Sequence, residues 1–389
     1  MSSTPPLAAP SVFQHRAEQM VHRAARWYQA QGAALLDSIV IHDLVTLITD
    51  CATYAAAPAL AVELVLTFHP HVEGWACLAP WCAALDAALA VVTDAGDRQL
   101  LLLHRSQAAR EVGDGERAEM LAHAVLRDAE AAGDERLMAH ALNKLGRIAF
   151  RRHDYPAARA AWSAGERRAT AAGATSEHAA LALNLGWLAK ECGEWDTAER
   201  WLAAAEQDAR AIGSEPELIK VHANQALVKS DRGHYAAAAV LLRALTPRFV
   251  AQRDWAGAAM NHNGLGYIAL LMADYATAAA ELGQARALFD QLGIVAGQAL
   301  VRSNLGELYV RQASWERATA ALQEAQQIAK AARLPLLVAA IQVDQGTVAA
   351  AQGNHAAAQA LWAAALAVQE ASGSPAAAAT KVLLHGPTA

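Results

Sequence analysis

A three-residue pattern that returns every 40 positions constrains this chain more than any other feature of its sequence. It consists of a small residue, an aromatic residue or histidine nine positions later, and an alanine three positions after that. The small residues are Gly146, Gly186, Ala226, Gly266, Gly306 and Gly346. The +9 positions hold Tyr155, Trp195, Tyr235, Tyr275, Trp315 and His355. The +12 positions hold Ala158, Ala198, Ala238, Ala278, Ala318 and Ala358. An unbroken period of this kind is typical of a repeat array.

The spacing of helix breakers predicts two helices in each repeat. The turn inside a repeat holds His153-Asp154, Gly193-Glu194, Gly233-His234, Ala273-Asp274, Ala313-Ser314 and Gly353-Asn354. The loop between repeats carries Gly133, Gly173, Gly213, Gly293 and Gly373, with Arg253 and Arg333 in the same register. Glycine at this place supplies the left-handed residue that ends a helix.

The small residues predict where the two helices of a pair come closest. A larger side chain at the first position or at +12 would hold the backbones apart, and the aromatic residue at +9 fills the gap near the turn. Large apolar residues follow at +16, namely Trp162, Leu202, Leu242, Leu282, Leu322 and Trp362. Since +16 lies one helical turn beyond +12, it shares a face with the alanine. One pair cannot bury this face alone, so neighbouring pairs are expected to stack.

The register divides the chain into five segments. We expect a disordered N-terminus over 1–10, degenerate capping helices over 11–58, two divergent repeats over 59–138, six repeats of 40 residues over 139–378, and the end of a C-terminal capping helix with a tail over 379–389. Within the capping segment, helices are expected over 12–30 and 35–57, the second of them closed by Pro58.

Composition restricts the classes of function. The formal net charge of −6 argues against a nucleic acid as the main ligand, because such proteins carry a strongly basic stripe. The four cysteines are too few and scattered for a disulfide framework, which favours a reducing compartment. Neither a signal peptide nor a membrane span is predicted. We therefore expect a cytoplasmic, all-α protein without cofactor or metal, whose oligomeric state stays open.

The residues resemble those of the tetratricopeptide repeat. Leu145-Gly146, Asp154-Tyr155, Ala158, Trp162 and Gly165 follow the order of that family's motif, clearly over residues 99–378 and weakly over 59–98. The period of 40 exceeds the usual 34, which is similar to the longer arrays of MalT-type activators and kinesin light chains. The resemblance implies a right-handed superhelix of antiparallel helix pairs. Similar bacterial arrays are sensors of signalling ATPases, but this chain contains no phosphate-loop motif.

The resemblance also implies that the first helix of each pair lines a concave groove. Two positions before the small residue stand Asn184, Asn224, Asn304 and Asp344, and one position earlier stand Asn143 and Asn263. An asparagine amide both donates and accepts hydrogen bonds, as a bound peptide backbone requires. The predicted binding residues are Asn143, Lys144, Arg147, Arg151, Asn184, Trp187, Lys190, Asn224, Asn263, Tyr267, Asn304 and Arg311, accompanied by Glu191, Lys220 and Glu307.

Plainer interpretations compete with this one. The asparagines could simply tolerate a solvated face, although their recurrence in register favours binding, and a residue such as Trp187 is more often partly packed than a ligand anchor. A metal site at Cys77, Cys82, His69 and His71 has no standard spacing. No catalytic motif is found.

We therefore predict a non-enzymatic scaffold or sensor that binds a protein or peptide, as part of a bacterial regulatory or signalling assembly. The alternatives are a sensor that binds a small ligand or nucleic acid and controls a separate effector, and an enzyme whose site is built on helices.

Overall fold

The fold is all-α. A computed structural model describes residues 38–53, 58–72, 78–374 and 376–385, together with the single residue 19. These residues form eighteen helices and no strand. In chain order the helices are α1 (Ser38–Thr53), α2 (Pro58–Val72), α3 (Leu78–Val91), α4 (Ala95–Glu111), α5 (Gly115–Ala132), α6 (Glu135–Arg151), α7 (Tyr155–Ala171), α8 (Thr175–Glu191), α9 (Trp195–Ala211), α10 (Glu215–Asp231), α11 (Tyr235–Ala251), α12 (Trp255–Leu271), α13 (Tyr275–Leu292), α14 (Val295–Arg311), α15 (Trp315–Ala331), α16 (Pro335–Ala351), α17 (His355–Ala371) and α18 (Ala376–His385).

The ends of the chain lie partly outside this description. The expected disorder over 1–10 and the helix expected over 12–30 fall outside the described residues. Pro58 does not close a helix as expected but begins α2, because the first position of a helix needs no backbone N–H donor. Among the described helices, none combines the length and the apolar character that a membrane crossing requires.

The chain divides into two compact units. The first unit comprises residues 1–148 and 167–172, and the second comprises 149–166 and 173–389. In the second unit, α8 to α17 form five antiparallel pairs stacked in chain order. We call α8, α10, α12, α14 and α16 the first helices, and α9, α11, α13, α15 and α17 the second helices. The pairs begin four residues before the predicted repeat limits, and the five-segment division itself stays a prediction.

Glycine at the small position allows the two helices of a pair to approach closely. A Cβ atom on Gly186 would lie 2.9 Å from Leu202 Cγ, and one on Gly266 would lie 2.6 Å from Leu282 Cγ. Leu202 and Leu282 are the +16 residues of the same repeats, and both are fully buried. In the first unit, the Ser106 hydroxyl fills the equivalent place and donates to the Ala118 carbonyl at 2.7 Å. The predicted contact between the small position and the second helix is confirmed.

Both turns of the repeat contain a residue in the left-handed conformation. The loop glycines predicted for this role have φ values between 61° and 68°. Arg253 and Arg333, which occupy the same register, adopt φ values of 54° and 55°. The sequence did not predict that the turn inside the pair needs the same conformation, which Gly193 and Ala273 adopt with φ values of 73° and 58°. The turn geometry is therefore kept even where alanine or arginine makes it strained.

Candidate functional site

The first helices of the second unit form a layer in which neighbours contact one another through polar side chains. The Asn304 side-chain amide on α14 donates to Asn263 Oδ1 on α12 at 2.9 Å. Lys190 Nζ on α8 lies 3.6 Å from Asp231 Oδ2 on α10. We call the side of this layer that carries these residues the first-helix face. It unites the second-unit members of the predicted binding set that lie on α8 to α14.

Two aromatic residues are partly open to solvent on this face. Trp187 is 37% exposed and Tyr267 is 38% exposed, and both stand one position after a small residue. The Trp187 ring packs 4.3 Å, centroid to centroid, from Phe150, and its indole N–H donates to Glu191 Oε1 at 3.2 Å. Trp187 is thus partly packed, and it still presents a large apolar surface. Leu227 stands at the equivalent position between them and is also exposed.

The asparagine row is not uniformly available to a ligand. The Asn224 side-chain amide donates to the Lys220 carbonyl of its own helix at 2.9 Å. Asn263 is buried and accepts the hydrogen bond from Asn304. Asn184 is half-buried on α8. An amide keeps two donor hydrogens and a carbonyl oxygen, so the used groups leave hydrogen-bonding capacity at Asn224 and Asn304.

The basic residues predicted on this face are paired with acids. Lys190 Nζ lies 2.7 Å from Glu191 Oε1. The Arg311 guanidinium donates from Nε and Nη2 to Glu307 Oε1, at 3.0 and 2.7 Å. Arg151, at the end of α6, is exposed. The two cations on α8 and α14 therefore add little unbalanced positive charge.

Acidic residues, by contrast, are in excess at the far end of the face. Asp344 on α16 makes no hydrogen bond or ion pair with any of the described residues. Burial and then the negative charge of Glu307 raise the pKa of the Asp344 carboxyl to about 7, although Arg311 opposes this change. Burial also raises the pKa of Asp231 and of the Tyr267 phenol, and the Glu307 carboxylate adds to the rise at Tyr267.

The other predicted binding residues lie in the first unit. Asn143, Lys144 and Arg147 are all half-buried on α6. Lys144 Nζ donates to Gln107 Oε1 on α4. Lys144 is therefore engaged with its own unit, and the groove role of these three residues stays a prediction.

Sequence reasoning missed a pair of buried histidines in the first unit. The His69 and His104 rings lie 3.9 Å apart, centroid to centroid, and the Trp81 indole N–H donates to His69 Nδ1 at 3.0 Å. Burial, reinforced by Lys144, lowers the pKa of His69 to about 3. Burial, then His69, Lys144 and His140, lowers the pKa of His104 to about 2. Both imidazoles are therefore neutral near pH 7.

One signal in the sequence pointed to part of this pair. His104 stands 40 residues before Lys144 and 80 before Asn184, in the same register row. His69 belongs to no such row, so its approach to His104 could be seen only in the folded chain.

The weighed metal site at Cys77, Cys82, His69 and His71 is not testable as a whole, because Cys77 and the His71 side chain lie outside the described part of the chain. Within that part, Cys51, Cys82 and Cys192 are free thiols. No group of three or more histidine, cysteine, aspartate or glutamate residues among the described positions is arranged to hold a metal ion.

Comparisons with known proteins bear on the fold. No family model and no curated protein matches the chain. It is similar to the structure of the Rap conjugation gene regulator of plasmid pLS20 in complex with the Phr* peptide, with 12% identity, a TM-score of 0.61, and coverage of 85% of this chain and 96% of that one.

It is also similar to a Rap protein complexed with competence and sporulation factor, with 12% identity, a TM-score of 0.57 and coverage of 84% and 96%. Aspartyl phosphate phosphatase F from Bacillus subtilis matches with 10% identity, a TM-score of 0.57 and coverage of 95% and 96%. Together with the helices described above, these likenesses confirm the tetratricopeptide-like all-α repeat solenoid predicted from the sequence.

Proposed function

We propose that the protein is a non-enzymatic regulatory scaffold or sensor, and that the first-helix face of its second unit binds an extended peptide or a segment of a protein. The supporting observation is the register on that face. Trp187, Leu227 and Tyr267 repeat every 40 residues as exposed apolar side chains, with Asn184, Asn224 and Asn304 in a parallel row.

This combination suits a peptide better than a compact small molecule. Successive helices present the same row at a regular spacing, so an extended chain can satisfy several positions at once. Apolar side chains of the ligand would cover the exposed rings, while amides would bond to its backbone. One of the similar structures, the Rap regulator of plasmid pLS20, is itself a complex with a peptide.

Selection from a displayed library of random linear dodecapeptides tests the proposal. We expect enriched sequences to bind the full chain, and the substitution Trp187→Ala to weaken them at least tenfold through the lost ring surface. Trp255→Ala is the matched control, because Trp255 is also 37% exposed but lies at the start of α12, outside the two rows.

Two results would contradict the proposal. One is a library from which no sequence is enriched above an unrelated helical protein. The other is an equal loss of affinity in the Trp187 and Trp255 variants, which would indicate a general effect on folding or a different binding surface.

A further inference from the structure

A ring of charged groups surrounds Tyr267 on the first-helix face. Asp231 comes from α10, Tyr267 from α12, Glu307 and Arg311 from α14, and Asp344 from α16. The Tyr267 phenol interacts electrostatically with all four of these charged residues. Four successive first helices therefore contribute to one location, and the aromatic ring at its centre is 38% exposed.

Negative charge predominates at this location. The only guanidinium, Arg311, is held by Glu307 through two hydrogen bonds. Asp231 has Lys190 as its nearest cation, at 3.6 Å, and Lys190 is closer to Glu191. Glu191, Asp231, Glu307 and Asp344 thus face two cations, which leaves a deficit of positive charge when all the acids are ionised.

Asp344 is the residue that most needs a partner. Its side chain is about nine-tenths buried, and no described residue donates a hydrogen bond to it. A buried carboxylate without a partner is costly, and a protein normally supplies a cation or donors to it. Here the nearest charge other than Arg311 is the carboxylate of Glu307, which increases the cost.

The chemistry of the missing partner follows from these groups. A positively charged group gains from two neighbouring carboxylates, and it also gains from the face of an exposed tyrosine ring. An anionic or purely apolar ligand would leave Asp344 without compensation.

We propose that Asp344, Glu307 and Tyr267 form a subsite for a cationic group of the bound peptide, either an arginine guanidinium or a free amino terminus. The subsite rests on the proposed peptide-binding function and specifies the chemistry of the partner at one position.

Small probes test the subsite without a peptide. The carboxyl carbon of Asp344 is followed by NMR in protein labelled with 13C at aspartate, and the Asp344→Asn variant assigns the resonance. We expect N-acetyl-arginine amide to lower the pH midpoint of this resonance from its value near 7. N-acetyl-citrulline amide, which is neutral and nearly the same shape, should leave the midpoint unchanged, and glycine amide tests the free amine.

Equal effects of arginine and citrulline probes, or no effect of any cation, would overturn the subsite. A response to glycine amide alone would assign it to an amino terminus, and a response to the arginine probe would assign it to a side chain.

The peptide selection separates this inference from the proposed function. If both hold, selected peptides share a cationic group whose replacement by a neutral one weakens binding about tenfold, and Asp344→Asn abolishes that difference. Asp290→Asn is the control, because Asp290 pairs with Arg302 elsewhere in the unit. Peptides that bind through Trp187 but show no preference for a cation would leave the proposed function standing and contradict the subsite.

Discussion

The two units apply one register to different chemistry. In the second unit, the row two positions before the small residue holds Asn184, Asn224, Asn304 and Asp344, on a face with exposed aromatic rings. In the first unit, the same row holds His104 and Lys144, and His104 lies in a buried cluster with His69. The comparison shows that the repeated small and apolar residues determine how helices pack, whereas the row beside them is free to become either a surface or a polar core.

The largest expected effect tests the regular packing of the second unit. Gly186→Leu should lower the free energy of unfolding by about 3 kcal/mol, because the new side chain would meet Leu202 on the second helix. Thermal and urea unfolding measure this loss. Gly283→Ala is the control, since a Cβ atom there meets no neighbour within 4 Å, and it should stabilise helix α13 by about 0.5–1 kcal/mol. Equal stability of Gly186→Leu and wild type would show that the contact is not required.

The second effect distinguishes the first unit by its response to acid. Because folding lowers the pKa of His69 and His104, the unfolded chain binds more protons below pH 6.5, and stability falls as the pH is lowered from 6.5 towards 3. At pH 5 the loss is about 2 kcal/mol for each histidine.

Hydrogen exchange at pH 7 and pH 5, corrected for intrinsic rates, locates this loss. Residues 78–111 should lose protection before residues 175–351. The variant His104→Phe, which keeps a ring but cannot be protonated, should show a flatter dependence of urea stability on pH between 7 and 5. An identical pH dependence in the variant would contradict the role of His104.

The third effect concerns ligand binding at Asp344, where the sign with pH is the opposite of a basic site. With a pKa near 7, the carboxyl is about one-tenth ionised at pH 6 and about nine-tenths ionised at pH 8. A cationic peptide that requires the ionised form should therefore bind about tenfold more tightly at pH 8. Fluorescence anisotropy measures both affinities. The difference should disappear in Asp344→Asn, and its persistence there would assign the pH dependence to another group.

The smallest effect concerns the turns inside the pairs. Ala273 adopts the left-handed conformation that Gly193 adopts in an equivalent turn. Ala273→Gly should raise the free energy of unfolding by up to about 1 kcal/mol, and Gly193→Ala should lower it by about the same amount. Opposite shifts in melting temperature are expected, and shifts of the same sign would indicate that the turn conformation is not what limits stability.

Much of the fold could be predicted from the sequence because its determinants repeat. Gly186 and Leu202 stand at fixed offsets, and their contact recurs with Gly266 and Leu282. The left-handed residue at Gly213 is equally readable. These features depend on local backbone geometry and on packing within one pair, which the period of 40 samples several times.

The candidate site was only partly predictable. The register placed Asn304 and Asn263 on neighbouring helices, but their mutual hydrogen bond depends on side-chain rotamers. The packing of Phe150 against Trp187 joins two different register positions. Asp344 was placed in the correct row, yet its burial beside Glu307 follows from the distance between α14 and α16, which no pattern within one helix reveals.

The arrangement around Tyr267 has a mechanical consequence. Each of four successive first helices contributes to it, so the distance from Asp231 to Asp344 adds up any sliding at the three intervening contacts. Stacked pairs in a solenoid contact only their neighbours, and small displacements accumulate along the stack. The cluster is therefore a strain gauge for this stretch of the solenoid, and a cation bridging its acids would stiffen the array like a strut across a spring.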